Sequence, residues 1–298
     1  GVAGTLLNAG NGGPATKAYI NPAVAVAFDA NQILYVVEQS NNQVRKITPD
    51  GLIFPFAGGA GSGKTGNGVP ALEVAFNEPQ AILAAPDGSV YIADTNNHLL
   101  RQVTPDGLSK TIAGIGIFGF SNDGGLATSA HLFYPRGMVL DGAGNLLFAD
   151  SSNHRIRKIT PAGIISTIAG SASPGFSGDG GEATAARLGR PHALAFDAAK
   201  NLYFTDTDNN CIRKITPDGI ISTVAGQGGK EGFAGDGGVA VNALLDHPVG
   251  LAIDPQGNIF IADTLNNRIR RVDTKGVITT IAGLGASGFG AGGWNGEG

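Results

Sequence analysis

The dipeptide Ala-Gly returns at Ala3-Gly4, Ala57-Gly58, Ala113-Gly114, Ala169-Gly170, Ala225-Gly226 and Ala282-Gly283, at spacings of 54, 56, 56, 56 and 57 residues. The segments between these markers repeat as well. One supersecondary module is therefore used five times, and a fixed period of this size restricts the chain to a propeller, a solenoid or an array. The content of the unit decides among them. In the third unit, apolar runs at 138–140 and 146–149, an alternating run at 155–160 and a closing run at 164–169 are separated by the turn clusters Asp141-Gly-Ala-Gly-Asn145, Ser151-Ser-Asn153 and Pro161-Ala-Gly163. Short β-branched runs bounded by Gly, Asn, Asp and Pro read as strands joined by tight turns. Four strands per unit is the count of a propeller blade. Helical repeats need long amphipathic helices, and 48 glycines in 298 residues oppose them. The helical candidates, Pro14–Tyr19, Leu126–Leu132 and Glu182–Leu188, are about two turns at most.

The stretches ADTNNHLLRQVTPDG (93–107), ADSSNHRIRKITPAG (149–163), TDTDNNCIRKITPDG (205–219) and ADTLNNRIRRVDTKG (262–276) resemble NHL repeats, and the resemblance runs from about Ala3 to Gly283. It implies an all-β propeller of four-stranded antiparallel blades, usually six of them. Unit one departs, with Glu38-Gln39 where its sisters have Asp-Thr or Asp-Ser. The chain reads as one domain, residues 1–298, with units at 4–57, 58–113, 114–169, 170–225 and 226–282 and a partial unit or tail at 283–298. Six units of this length would need roughly 336 residues. A five-bladed ring, a six-bladed ring lacking most of one blade, and a fragment of a longer chain all fit, the last because the sequence starts at Gly1 without Met. An unclosed ring would expose blade faces and invite self-association.

The net charge of −4 offers no basic footprint for nucleic acid, although Arg45-Lys46, Arg157-Lys158, Arg213-Lys214 and Arg270-Arg271 would stack into a local stripe. The single cysteine, Cys211, before a strand start, forms no intrachain disulfide. No apolar run reaches the length of a membrane span. A near-absence of cysteine suits a secreted bacterial protein as well as a cytosolic one; the expected location is extracellular or periplasmic in a bacterium, where a mature form would have lost its signal peptide.

Several motifs invite chemistry and fail on context. Residues 58–65 (GGAGSGKT) match the phosphate-loop pattern, but Gly66-Asn-Gly68-Val-Pro70 follows where a helix must start. The G-x-G-x-x-G matches at 114–119 and 283–288 open no βαβ unit. The pairs Asp94/Arg101, Asp150/Arg157, Asp206/Arg213 and Asp263/Arg270 recur in four units, so they read as framework ion pairs, placed between blades. Asn97, Asn153, Asn209 and Asn266 fit left-handed turn positions, and His98 and His154 share a repeat position with Gln43, Asn210 and Asn267. Asp123, Asp179 and Asp236, each before Gly-Gly, supply too few oxygens for calcium and read as turn caps.

A ligand site is expected where the repetition breaks. The residues flanking the proline before each first strand differ from unit to unit. If that strand is innermost, they ring the mouth of the central channel. The candidate ligand-binding set is Glu78, Gln80, Tyr134, Arg136, Arg190, His192 and His247. Arg136 and Arg190 suit a carboxylate or phosphate, Glu78 a sugar hydroxyl or cation, and Tyr134 a ring. The leading expectation is a non-catalytic binding or interaction propeller, a module of a larger protein, taking a protein or a small polar or carbohydrate ligand and needing no cofactor. Alternatives are a pure repeat scaffold and a channel-centred enzyme, since the resemblance extends to metal-dependent lactonases and lyases. For metal, His192, His247 and Glu78 form the plausible trio. Trp294, in the glycine-rich tail, would anchor that tail or mark a contact.

Overall fold

The computed structural model describes residues 9–284, so Ala3-Gly4, the further unit from Gly285 onward and Trp294 lie outside the described residues. It is all-β. Four of the five sheets have four strands in sequential antiparallel order. The third blade runs Pro135–Leu140, Leu146–Asp150, Arg155–Ile159 and Ile165–Ala169, close to the runs read from sequence. Blade two has a fifth, two-residue strand, Val69–Pro70, on its outer edge. Isolated bridges (Pro14–Leu52, Leu126–Ile164, Glu182–Ile220, Val239–Val277) pin the connecting loop to the same edge elsewhere. The expected helices shrink to single 3-10 turns such as Ala127–Ser129 and Ala183–Ala185, because the next residue returns to extended backbone.

The first strands, Ala23–Phe28, Ala81–Ala84, Pro135–Leu140, Pro191–Phe196 and Pro248–Ile253, pack on one another in turn and form the inner ring. Apolar clusters lie between consecutive blades. Between blades two and three, Ala93, Leu100 and Ala113 meet Ala127, Ala130, Leu132, Met138 and Phe148. The Ala-Gly marker follows from this packing. The alanine is buried at positions 57, 113, 169 and 225. The glycine has φ between +82° and +95°, and a Cβ on it would strike the carbonyl oxygen of Asn42, His98, His154, Asn210 or Asn267.

The recurrent acid–arginine pairs lie inside each blade, across the hairpin of its second and third strands, not between blades as the sequence suggests. Arg45, Arg101, Arg157, Arg213 and Arg270 are the five largest fully buried side chains. They pair with Glu38, Asp94, Asp150, Asp206 and Asp263 at 3.2, 3.2, 3.4, 3.5 and 3.2 Å. Glu38 thus fills the aspartate's role in unit one. The buried arginines contribute nothing to a basic surface stripe. Asp123, Asp179 and Asp236 do more than cap turns: each forms a second ion pair to the arginine, at 2.8, 2.6 and 2.8 Å. Asp123 also accepts the Thr167 N–H at 3.1 Å.

The αL position is occupied by Asn42, His98, His154, Asn210 and Asn267, so the unit-one equivalent of His98 is Asn42, not Gln43. The preceding asparagines are not αL. Asn153, Asn209 and Asn266 donate from Nδ2 to the pair's carboxylate and to the Gly119, Gly175 and Gly232 carbonyls. Cys211 opens a strand rather than preceding it, and burial pushes its thiol well up.

Arg101 faces one carboxylate, whereas Arg213 faces two. Asp94→Ala is expected to cost about 3–5 kcal/mol, the range for stranding a buried charge. Asp206→Ala, which leaves Asp179 in place, is expected to cost less. Urea unfolding of both variants checks the order.

Candidate functional site

A β-bulge follows the proline in the inner strands of blades three, four and five, where the register shifts between Pro135 and Met138, Pro191 and Leu194, and Pro248 and Gly250. Bulges re-aim side chains. The residue just before the proline is held with positive φ in four blades: Glu78 at 47°, Tyr134 at 51°, Arg190 at 48° and His247 at 46°. Side chains are costly in that region, so each of these backbones needs an anchor. The anchor is the αL residue of the preceding blade. The Glu78 N–H donates to Asn42 Oδ1 at 2.7 Å, Tyr134 to His98 Nδ1 at 3.3 Å, Arg190 to His154 Nδ1 at 3.2 Å and His247 to Asn210 Oδ1 at 2.9 Å. In unit one the register sets Ala23, not Pro22, at the proline position opposite Glu38.

The residues just after the proline form an arc across three blades. Arg136 Nη1 donates to Gln80 Oε1, and the same nitrogen lies 2.6 Å from His192 Nε2. Gly137 allows this approach, because a Cβ there would strike the His192 carbonyl oxygen. Arg136, Arg190, His192 and His247, with Ser151, Thr207, Asp208 and Val249, line a cleft of about 200 Å³. Arg190 Nε stands 3.9 Å from Asp208 Oδ2 and both are partly exposed, a loose pair. Burial and the charge of Arg190 lower the Arg136 pKa from its usual value. Burial, then Arg136 and Arg190, push His192 down to about 3. A neutral His192 is what the geometry requires, since Nε2 must accept from the guanidinium.

Four of the seven candidate residues therefore share the cleft and Gln80 touches one of them. Two do not. Glu78 is exposed and takes a 3.3 Å hydrogen bond from Gln39. Tyr134 stacks on Phe133 at 5.0 Å and meets His98 edge-on at 5.0 Å, with exposed Phe118 beside them. The trio His192, His247 and Glu78 is not assembled, and among the described residues no group of three His, Cys, Asp or Glu side chains is placed to hold a metal ion. The sequence reading missed Asp208. It replaces Asn96, Ser152 and Leu265 at its repeat position, so the rule used for the proline flanks would have found it. A larger groove of about 650 Å³ lies between blades three and four at the opposite ends of the strands, beside Lys158 and Lys200. Its counterpart between blades one and two, about 440 Å³, marks it as a feature of the framework.

The phosphate-loop match carries no nucleotide site. Lys64 and Thr65 use their carbonyls to accept from Arg101 at 2.8 and 3.3 Å, and the next helical turn is the three-residue Ala71–Glu73.

The sequence pattern of the Teneurin NHL domain matches residues 119–177, 172–233 and 228–288. Human Teneurin-1 is 30% identical over 301 aligned residues, covering 91% of this chain and 10% of that protein. Human NHL repeat-containing protein 2 is 27% identical over 283, covering 85% and 38%. The chain thus spans well under half the length of these relatives. Among solved structures, an auxiliary nutrient binding protein from Bacteroides ovatus superposes with a TM-score of 0.62 at 18% identity, covering 88% of this chain and 60% of that one. A virginiamycin B lyase from Staphylococcus aureus gives 0.56 at 18%, covering 87% and 69%. At these identities the structural likeness speaks for the fold alone.

The folded pKa of His192 lies below its unfolded value near 6.5. Its contribution to stability is therefore complete above pH 6.5 and is lost as pH falls toward about 3. The His192 imidazole resonances are expected not to titrate between pH 7 and 4, and His192→Gln is expected to flatten the fall of Tm over that interval. NMR and thermal scans measure both.

Proposed function

This chain belongs to the NHL-repeat β-propeller family, and we propose that it is a non-catalytic binding module whose ligand presents a carboxylate or phosphate to the channel-mouth cleft. The cleft carries the reading: two guanidiniums and two imidazoles converge there with the Asp208 carboxylate, and His247 Nδ1 is paired with Asp246 Oδ1 at 3.1 Å, in a chain whose net charge is −4. Arg190 is the presented group, half-exposed and only loosely paired. Arg136 is fixed by Gln80 and His192, so it supplies a preorganised second donor. A fork of planar donors suits bidentate oxyanions. The volume of about 200 Å³ suits one acidic group or a single acidic sugar unit.

The asymmetry favours this reading over a bare scaffold, because a scaffold gives no reason for the charged set to gather in blades three to five. A metal-centred enzyme would need Glu78 beside the two histidines, and Glu78 lies instead beside Gln39. The short span relative to the relatives fits a module of a larger protein.

Isothermal titration with galacturonate and with inorganic phosphate tests the proposal. Binding is expected to weaken with salt, to fall about tenfold or more in Arg190→Ala, the range for one hydrogen bond to a charged group, and to tighten in Asp208→Asn. Binding that ignores both substitutions would place the ligand elsewhere.

A further inference from the structure

One group of side chains breaks the repeat without entering the cleft. Where blades two and three meet, rings join in a chain of contacts. Phe118 lies 5.3 Å from Phe133, Phe133 stacks on Tyr134 at 5.0 Å, and His98 meets all three edge-on at 5.0–6.1 Å. Phe118 is 64% exposed, its loop neighbour Ile117 is 53% exposed, and Ile115 at 41% widens the patch.

The framework does not require these residues. The position of Phe118 holds Ser62, Pro174 and Glu231 in the other loops, and that of Phe133 holds Asn77, Gly189 and Asp246. The position of Ile117 holds Gly61, Ser173 and Lys230. The loop nevertheless closes in one way at every junction: the Gly63, Gly119, Gly175 and Gly232 amides donate to the Phe76, Leu132, Leu188 and Leu245 carbonyls, each at 3.2 Å. Large apolar side chains left in water where small or polar ones suffice mark an interaction surface.

The patch is continuous with the cleft. Tyr134, its inner member, and Arg136 flank Pro135, a step of no more than about 7 Å of chain. Burial and Arg190 lower the Arg136 pKa while Asp208 and Tyr134 oppose them, so the Tyr134 phenol lies among the groups around that guanidinium. Tyr134 also holds the repeat position of Arg190 and His247, which line the cleft. An apolar platform thus adjoins a cationic pocket at blade three.

We propose, on the acidic-ligand reading of the cleft, that platform and cleft together bind one extended peptide segment of a partner protein, with an aromatic or aliphatic side chain against Phe118 and Tyr134 and an acidic side chain two residues away at Arg136 and Arg190. In an extended chain, residues i and i+2 point to the same side about 7 Å apart, which matches the step from Tyr134 to Arg136. The isoleucines decide for peptide over carbohydrate. Sugar hydroxyls set against Ile117 would lose water and gain no partner, whereas an apolar side chain gains from ring and isoleucine alike. The guanidiniums select the acid.

Calorimetric titration with the blocked heptapeptide Gly-Phe-Gly-Glu-Gly-Phe-Gly tests this, since it offers a ring on either side of the acid whichever way the chain runs. It is expected to bind about tenfold or more tighter than Gly-Ser-Gly-Glu-Gly-Ser-Gly, the low end for burying a phenyl ring. It is also expected to bind about tenfold tighter than Gly-Phe-Gly-Gln-Gly-Phe-Gly, which lacks the charge. Phe118→Ser and Ile117→Ser, the latter installing the residue of the next unit, are expected to remove most of the phenylalanine-over-serine preference and to shift Tm by less than about 2 °C, as exposed sites do. Arg190→Ala is expected to weaken both peptides alike. Equal affinity for the phenylalanine and serine peptides, with phosphate and galacturonate still bound in the cleft, would overturn the peptide assignment and leave the cleft reading standing. A preference that survives both serine substitutions would overturn it too. So would a phenylalanine peptide indifferent to loss of its acid, or trigalacturonate whose affinity falls in Phe118→Ser, which would assign the platform to carbohydrate. Failure of phosphate and galacturonate to bind would remove the cleft reading and the peptide assignment together.

Discussion

A fully buried guanidinium, repeated five times, is the constraint on which this fold turns. Taking an arginine out of water is tolerable only if its donors are met. The partners come from separate segments: the carboxylate ending the second strand, carbonyls of the loop that precedes the blade, and in three blades an aspartate of that loop. Phe120, Phe176 and Phe233 lie against the guanidinium of Arg157, Arg213 and Arg270, with ring centroids 4.8–5.0 Å from it. One side chain therefore fixes the hairpin and its connecting loop together. Burial lifts Asp94, Asp150 and Asp206 to about 6 in spite of the neighbouring cation and several hydrogen bonds. Desolvation thus outweighs the attraction, so the pair specifies where segments lie more than it adds net stability.

Blade-to-blade order depends on smaller devices. In blades one to four the αL residue after the 3-10 turn between the second and third strands presents its side chain to the next blade's pre-proline amide, and the glycine of Ala-Gly lies against that residue's carbonyl. This latch also places the site. It holds the backbone of Arg190 and His247 in the left-handed region, and the bulge that follows directs Arg136 and His192 toward the cleft. The framework thus supplies equivalent positions in each blade, and the identity of the residue at each one supplies the chemistry. Gln80, Arg136 and His192 occupy one such position in three consecutive blades and form a continuous polar arc.

Period and turn chemistry made the blades legible. Each strand lies between Gly, Asn, Asp or Pro clusters, and the runs at 138–140, 146–149, 155–160 and 164–169 match observed strands to within three residues. The helical candidates were overestimated because an Ala-Thr-Ser step supports one tight turn before packing pulls the chain straight. The site was legible only as a set of non-repeating positions. That logic reached Arg136, Arg190, His192 and His247, but it also gathered Glu78 and Tyr134, whose side chains turn to Gln39 and Phe133.

The sequence by itself determined the repeat, the four strands of each unit and the residues free to differ among units, because local backbone preference and strand period are written in adjacent residues. Tertiary structure alone decided that the ion pairs close within blades and that Asp208 joins the cleft while Glu78 leaves it. These outcomes depend on which side chains meet once the strands have paired and packed, over separations that run from 7 residues for the ion pairs to 56 for Arg136 and Gln80, and no local preference encodes such meetings.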